Sequence, residues 1–493
     1  MPTRTTTATA SPPGAATVAV AVAVAVACLV AGGPAIAEST PPWSERAIGA
    51  HVALDPLLER AAPDGTLAAD DLATLLRAGE SLFDARFTSE DGVGRPLATQ
   101  AILPTKRRRE ARTRFSRTAG LDANACSGCH VDPLMGGAGD FSANVFVAEG
   151  FSQADFDTTD PQFSNERNTN HLFGAGLVEL LAREMTAELK RLRNEALRTA
   201  RHDRSTVVVP LESKGVTFGT LSVHPDGRVD TRAVDGVDVD LVIRPFGHKG
   251  VMTSLRQFTV NALNHHHGMQ AEERFGARWT GESDHDGDGH VGEITAGDVS
   301  ALVAWQATLP PPVQDDDVGV AWTAAASRGR ERLDALGCVA CHRAALPLDS
   351  TVFADPGPLD AAGTLRSGEG TDLHYDLARD PRIAALPRDA RGRALVPLFG
   401  DLKRHAIADT QVAALGNERL SQRFVARNVF MTTELWGVGS TAPYGHRGDF
   451  TTLAGVIAAH GGAARASRDA WLALDTDAQG DVIAFLKTLV IAP

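Results

Sequence analysis

Two short stretches decide how the rest is read: Cys126-Ser127-Gly128-Cys129-His130 and Cys338-Val339-Ala340-Cys341-His342. Each is Cys-x-x-Cys followed at once by His, the attachment sequence of c-type haem. The chemistry explains the spacing. Two thiols must reach the two vinyl groups of one porphyrin while the adjacent imidazole turns onto the iron, and one helical turn sets the three groups that way. Two other readings use the same residues: a four-cysteine zinc site built from both pairs, or a disulfide in each pair. The trailing His on both pairs, together with an export signal, favours two covalently bound haem c groups. Cys126, Cys129, Cys338 and Cys341 are then the attachment residues, with His130 and His342 as proximal iron ligands.

The surrounding chain is consistent with that reading. Its 493 residues leave room for two to four domains. A balance of 48 basic against 61 acidic residues argues against nucleic acid or anionic lipid as the main partner. Val18 to Val30 is an apolar run too short to span a bilayer comfortably. It leads to Ala35-Ile36-Ala37, which fits the cleavage site of a secretory signal peptide over 1–37. Cys28 after Ala25-Val26-Ala27 is a weak lipobox, so a lipid-anchored form is the minority reading. The expectation is a periplasmic protein that does not span the membrane.

Residues 38–66 read as an extended lead-in, and 67–204 as an N-terminal haem domain opened by a helix over Ala69 to Phe83. The run Lys106 to Arg109 is read as a solvated loop, and Leu177 to Ala200 as a long charged helix. Residues 205–317 form a β-rich insertion, with two or three strands in Thr206 to Val242, followed by a helix from Leu255. Pro310 to Pro312 and Asp315 to Asp317 read as a linker. Residues 318–493 form a second haem domain, with a helix from Ala321 to Leu336 before its motif and a closing helix from Thr476 to Val490. The fold class is mostly α: two cytochrome c-like haem domains with a small β-rich insertion between them.

Longer segments carry a family resemblance. CSGCH at 126–130, VVVPLESKGVTFG at 207–219, DGVDVDLVIRPFGHKG at 235–250, NHHHGMQAEERFG at 264–276, CVACH at 338–342 and LWGVGSTAPYGHRGDFTTL at 435–453 resemble the bacterial di-haem oxidoreductases. These are the peroxidase-like or thiol-oxidoreductase-like proteins, distantly related to di-haem cytochrome c peroxidases, the methylamine dehydrogenase maturation enzyme and rubber oxygenases. In the peroxidases a T-x-P-Y-x-H segment precedes the distal ligand of the C-terminal haem by fourteen residues. Here Thr441 to His446 matches it, and the count lands on His460. The resemblance therefore implies a bis-histidine C-terminal haem, of lower potential than His/Met ligation would give. His460 beside Gly461-Gly462 can also be read as a helix end, with Met431 as the fallback ligand.

Over the N-terminal haem the relatives carry a Gln and, ten residues later, a catalytic Glu. Gln257 fits the first position and His267 takes the second, an imidazole in place of a carboxylate. Imidazole suits proton exchange, its ordinary pKa being about 6.5. On a straight helix consecutive residues point about 100° apart, so His265, His266 and His267 cannot all face one iron. Gln257, Asn261, Asn264 and His265 would share a stripe, and Gly268 is the expected stop that lets His266 and His267 turn otherwise. His266, His267 and Gln257 are the catalytic candidates. Many relatives place Trp between the haems, where this chain reads Phe246-Gly247-His248-Lys249; Trp279 and Trp436 are the remaining aromatic candidates.

Asp284, Asp286 and Asp288, with Gly289, match the start of a calcium loop, although Thr295 stands where Glu is usual. Glu293 or Asp298 would have to complete the shell, and an acidic surface turn is the alternative. The expected activity is a peroxidase-type oxidoreductase taking hydrogen peroxide or oxygen, with electrons from a small redox protein. The alternatives are an electron carrier, its first iron closed by Met135, His266 or Met269, and an oxygenase of a large apolar substrate.

Overall fold

The computed structural model describes residues 43–94, 97–98, 107–108, 125–140, 142–144, 166–359, 363–369, 372–418 and 423–492. The apolar leader and Cys28 lie outside them, as does the Lys106 to Arg109 run apart from the backbone of Arg107 and Arg108. The helix Ala69–Asp84 buries Leu72, Leu75, Leu82 and Phe83, the three- and four-residue spacing that makes one apolar face. That face lies on the helix Ala296–Thr308, where Phe83 meets Trp305 with ring centroids 4.3 Å apart. Ala296–Thr308 is buried almost all round, so its start needs its own hydrogen-bond partners. Thr295 and Asp298 supply them as a reciprocal capping box.

The longest helix, Ala175–Asp203, changes character along its length. Its first half buries Leu177, Val178, Leu180, Leu181, Met185 and Leu189, and its second half only Ala196 and Ala200. The strands Val207–Ser213, Val216–Val223 and Val229–Asp230 follow as a consecutive antiparallel sheet, in register Val207 to Val223 and Ser222 to Asp230. This sheet is pinned to later sequence. Lys214 Nζ donates to the Pro347 carbonyl at 2.6 Å, and Lys403 Nζ to the Thr217 carbonyl at 2.9 Å.

In the C-terminal third, Val320–Ala335 packs against Thr476–Leu486 through an apolar cluster that includes Leu333, Val482, Phe485 and Leu486. Two sequence expectations change here. The closing helix stops at Leu486, and Leu489–Val490 instead pairs antiparallel with Val313–Gln314. The segment after Pro310 to Pro312 is therefore tied into the fold by a strand pair, because its β-branched Val313 finds a free strand edge at Val490. Residues Ser39–Pro493 form one compact unit.

Candidate functional site

Each Cys-x-x-Cys-His stretch folds as a single tight turn. In the first, Cys129 N and His130 N both donate to the Cys126 carbonyl; in the second, Cys341 N and His342 N do the same to Cys338. Both imidazoles are then fixed from behind. His130 Nδ1 donates to the Gly137 carbonyl at 3.3 Å, and His342 Nδ1 to the Phe399 carbonyl at 3.2 Å. A carbonyl only accepts, so each bond sets the tautomer and leaves Nε2 with its lone pair. Burial holds both rings neutral, down to about 4, the state a metal ligand requires. Burial also pushes the Cys126 thiol up to about 12.

Both turns open on one cavity of about 1420 Å³. Pockets for drug-sized ligands measure about 300–1,000 Å³, so this space holds more than one such group. The residues fit porphyrin iron better than the two alternatives. None of the four motif cysteines is bridged in a disulfide. Among the described residues they do not gather into a four-sulfur cluster, and Cys341 instead lies with Asp401 and His405. An apolar-walled space next to a neutral imidazole with a free Nε2 is what the attachment motif needs.

Across the cavity from His342 stands His460. It follows the short helix Leu453–Ala458, and its Nδ1 donates to the Val456 carbonyl at 2.7 Å, again leaving Nε2 available. The two rings are close enough for the charge of His460 to lower the pKa of His342, after burial itself. His460 thus ends a helix and also lines the cavity, so the two sequence readings coexist. Met431 lines the same cavity, whereas among the described residues neither Met135 nor Met269 does.

The wall opposite His130 is built differently. The helix Leu255–Ala262 starts at Ser254, whose Oγ accepts from Gln257 N, and Glu179 Oε2 accepts from Leu255 N at 2.7 Å. Arg256 next to it is buried and paired with Glu273 and Asp355 at 2.9 Å each. Then the helix widens into one π turn, Leu263–His267, and Gly268 closes it at φ 68°, a left-handed value glycine adopts without strain. The straight stripe expected from the sequence is therefore broken, and His265, His266 and His267 all reach the cavity wall. They do different things there. His266 is lowered to about 4 by burial and then by the charge of His130, so the two rings sense each other. His267 Nε2 lies 3.6 Å from Cys126 Sγ, beside the attachment point. Gln257 lines the cavity with its carbonyl already engaged by Thr253 N and Oγ1, which leaves its NH₂ as the group on offer.

Between the two turns, Asn168 N and Nδ2 donate to the carbonyls of His446 and Pro443, and its own carbonyl accepts from His248 Nε2. Trp436 is buried, with its indole lying on Gly174; a Cβ there would meet the ring at 2.5 Å, and φ 78° already demands glycine. Its carbonyl accepts from His171 Nε2 at 3.1 Å. Trp279, by contrast, is half exposed at the cavity rim. Sequence reasoning missed Arg274, on the wall beside Asn261, and Glu434, whose buried carboxyl is raised to about 7 by burial and by Asp401. Neither has a local signal, because each acquires its role from tertiary neighbours.

The acidic loop is compact: the carboxylates of Asp284, Asp286 and Asp288 lie within 4.8 Å of one another, as a cation shell would need. Its completion by Asp298 does not occur, because that carboxylate accepts from Val52 N, His51 and Thr295 as a helix cap. Glu293 Oε2 accepts from Gln270 N at 2.7 Å.

No protein-family model matches the chain, and no curated protein matches its sequence. Among solved structures, hydrazine synthase of Kuenenia stuttgartiensis, pressurized with xenon, is 12% identical and covers 93% of this chain and 100% of its own, at a TM-score of 0.32. A MauG-like protein associated with microbial copper homeostasis is 17% identical over 55% of this chain and 78% of its own, at a TM-score of 0.27. Likeness at these scores carries no functional argument.

Proposed function

We propose that the chain is an exported di-haem c-type oxidoreductase of peroxidase type. The carrying observation is the asymmetry of one shared cavity: His460 stands across from His342, with His405 held by Asp401 beside Cys341, while the run His265 to His267 gathers with Gln257 and Asn261 on the side of His130. When bound, haem supplies the redox-active iron, and peroxide reduction to two waters consumes two electrons and two protons. The chain's own residues provide the rest. His266, neutral at pH 7, offers a ring nitrogen that takes a proton from peroxide and readily returns it, since its pKa is depressed. His267, against Cys126, is the neighbouring proton donor and acceptor, and the Gln257 amide donates to a peroxide oxygen. Electrons arrive from a small redox protein through the His342/His460 side, with the buried, cavity-lining Trp436 as the relay candidate. Calcium in the Asp284 to Asp288 loop would brace the distal segment.

A second reading rests on the mutual sensing of His266 and His130: if His266 ligates the first iron, the chain is an electron carrier. Ferrous protein exposed to carbon monoxide separates the two. One CO per chain, at the N-terminal haem, is the expected result, and no CO uptake with both haems low-spin leaves only the carrier. A pyridine haemochrome assay tests the premise, with two thioether-linked haems per chain expected.

A further inference from the structure

We propose that Arg274 forms a carboxylate-binding subsite on the cavity wall, on the side of the first Cys-x-x-Cys-His turn. Arg274 lines the cavity with Gln257, Asn261, Trp279 and Thr364. Its Nη1 donates to Asn261 Oδ1 at 2.7 Å, and Asn261 Nδ2 in turn donates to the Gln257 carbonyl at 2.6 Å, so the guanidinium is fixed to the distal helix. Its aliphatic stem lies against Gly363, and its charge sits 5.5 Å from the Phe275 ring centroid.

Among the described residues, the fully buried arginines are paired with acids: Arg167 meets Glu418, Arg244 meets Asp238 and Asp240, Arg256 meets Glu273 and Asp355, and Arg404 meets Asp238. Arg274, half-buried on the cavity wall, is held otherwise: among the described residues no carboxylate stands within ion-pair distance, and its one side-chain partner is a neutral amide. The adjacent Glu273 is taken by Arg256 and by Leu365 N. A desolvated cation without a counter-charge is costly, and burial alone lowers Arg274 to about 10. A guanidinium presents five N–H donors in a planar fork that matches a carboxylate two-pronged, and only one of them is spent on Asn261. A single cation among neutral neighbours suits a monoanion better than a phosphate dianion.

The carboxylate has two sources, a haem propionate or an acid entering past Trp279. The first rests on the proposed haem content and the second does not. Purified protein and the R274Q and R274K variants are titrated with benzoate by calorimetry. Haem content and the midpoint potential of the N-terminal haem are measured on the same samples. An entering acid predicts benzoate binding to the wild type, weakened about tenfold to a hundredfold in R274Q and partly restored in R274K, with the potential unchanged. A propionate partner predicts no benzoate binding and a lower potential in R274Q that R274K recovers, because a removed cation no longer disfavours the ferric state. Benzoate heats and potentials that are the same in all three proteins overturn the subsite. Samples without haem sink the proposed function instead, and the benzoate titration still decides the subsite. If R274Q does not fold, R274K, which keeps the charge but loses the fork, carries the comparison.

Discussion

The two Cys-x-x-Cys-His neighbourhoods solve one problem with opposite means. Around His342 apolar packing dominates: Leu333, Val482, Phe485 and Leu486 join the helices Val320–Ala335 and Thr476–Leu486, with the Arg328–Asp481 pair at their edge, and His460 faces the site. Around His130 the facing wall carries Gln257, Asn261, His265, His266, His267 and Arg274, and it is held by buried ion pairs in addition to the apolar contacts of Leu255, Val260 and Leu263. A centre that only passes electrons needs one saturating ligand and tight packing. A centre that handles protons and a small oxidant needs donors, and buried donors need buried counter-charges. The difference between the walls is therefore chemical before it is topological.

The largest effect that tests this contrast is loss of one attachment point. C126S/C129S and C338S/C341S should each lower the pyridine haemochrome count from two haems per chain to one. The C-terminal double variant should also unfold more easily, because its haem fills a site walled mainly by the apolar contacts of Leu333, Val482, Phe485 and Leu486. Equal stability losses in the two would remove the distinction. Next in size is the swap of openness. H460G should raise CO uptake from one to two per chain, and H460M should raise the potential of the C-terminal haem while keeping it closed. If H460G leaves CO uptake at one and H266G instead raises it, the assignment of open and closed centres is reversed.

The bracing itself is the third target. Arg256 has its guanidinium between Glu273 and Asp355 and also donates to Ser300 Oγ at 2.9 Å. D355N leaves part of that charge uncompensated, and the expected loss is about 3–5 kcal/mol in denaturant unfolding. The π turn should loosen with it, changing the spectrum of the N-terminal haem and not of the other. A loss below about 1 kcal/mol would mean that apolar packing holds the distal wall after all.

The same contrast governs what could be read from the sequence. The helices Ala69–Asp84, Ala175–Asp203 and Val320–Ala335 begin and end within a few residues of expectation, because periodic apolar faces and flanking glycines are local signals. The attachment candidates could be picked out because the motif is contiguous, and His460 because it stands at a fixed count from a contiguous segment; the structure sets them all on one cavity wall. The π turn was not legible. Its widening depends on how Glu179 and Arg256 clamp the helix start and on Gly268 at its end, and Asp355 lies 99 residues from Arg256 in sequence. Arg274 was hidden for the same reason: what sets it apart is a carboxylate that is not there. Strand pairing of Leu489–Val490 with Val313–Gln314 escaped notice because two-residue strands have no period to detect.

The smallest test concerns two helix caps. Asp298 caps Ala296–Thr308 on the N-terminal side and also accepts from His51 Nδ1 at 2.6 Å; Asp475 caps Thr476–Leu486 on the C-terminal side through Ala478 N, with no imidazole among its partners. The hydrogen bond that His51 donates to Asp298 raises the pKa of His51 above its ordinary 6.5. A raised folded-state pKa means that the protonated form is the one folding favours. The contribution is thus fully present below pH 6.5 and disappears as pH climbs through the folded value. H51A should consequently lower the unfolding midpoint at pH 6 and have progressively less effect toward pH 9. D475A should cost a cap's worth of stability, about 1 kcal/mol, at every pH in that range. Because His51 is partly exposed, its effect should also shrink in high salt. A pH-independent loss in H51A would assign the residue to packing and leave the two caps equivalent.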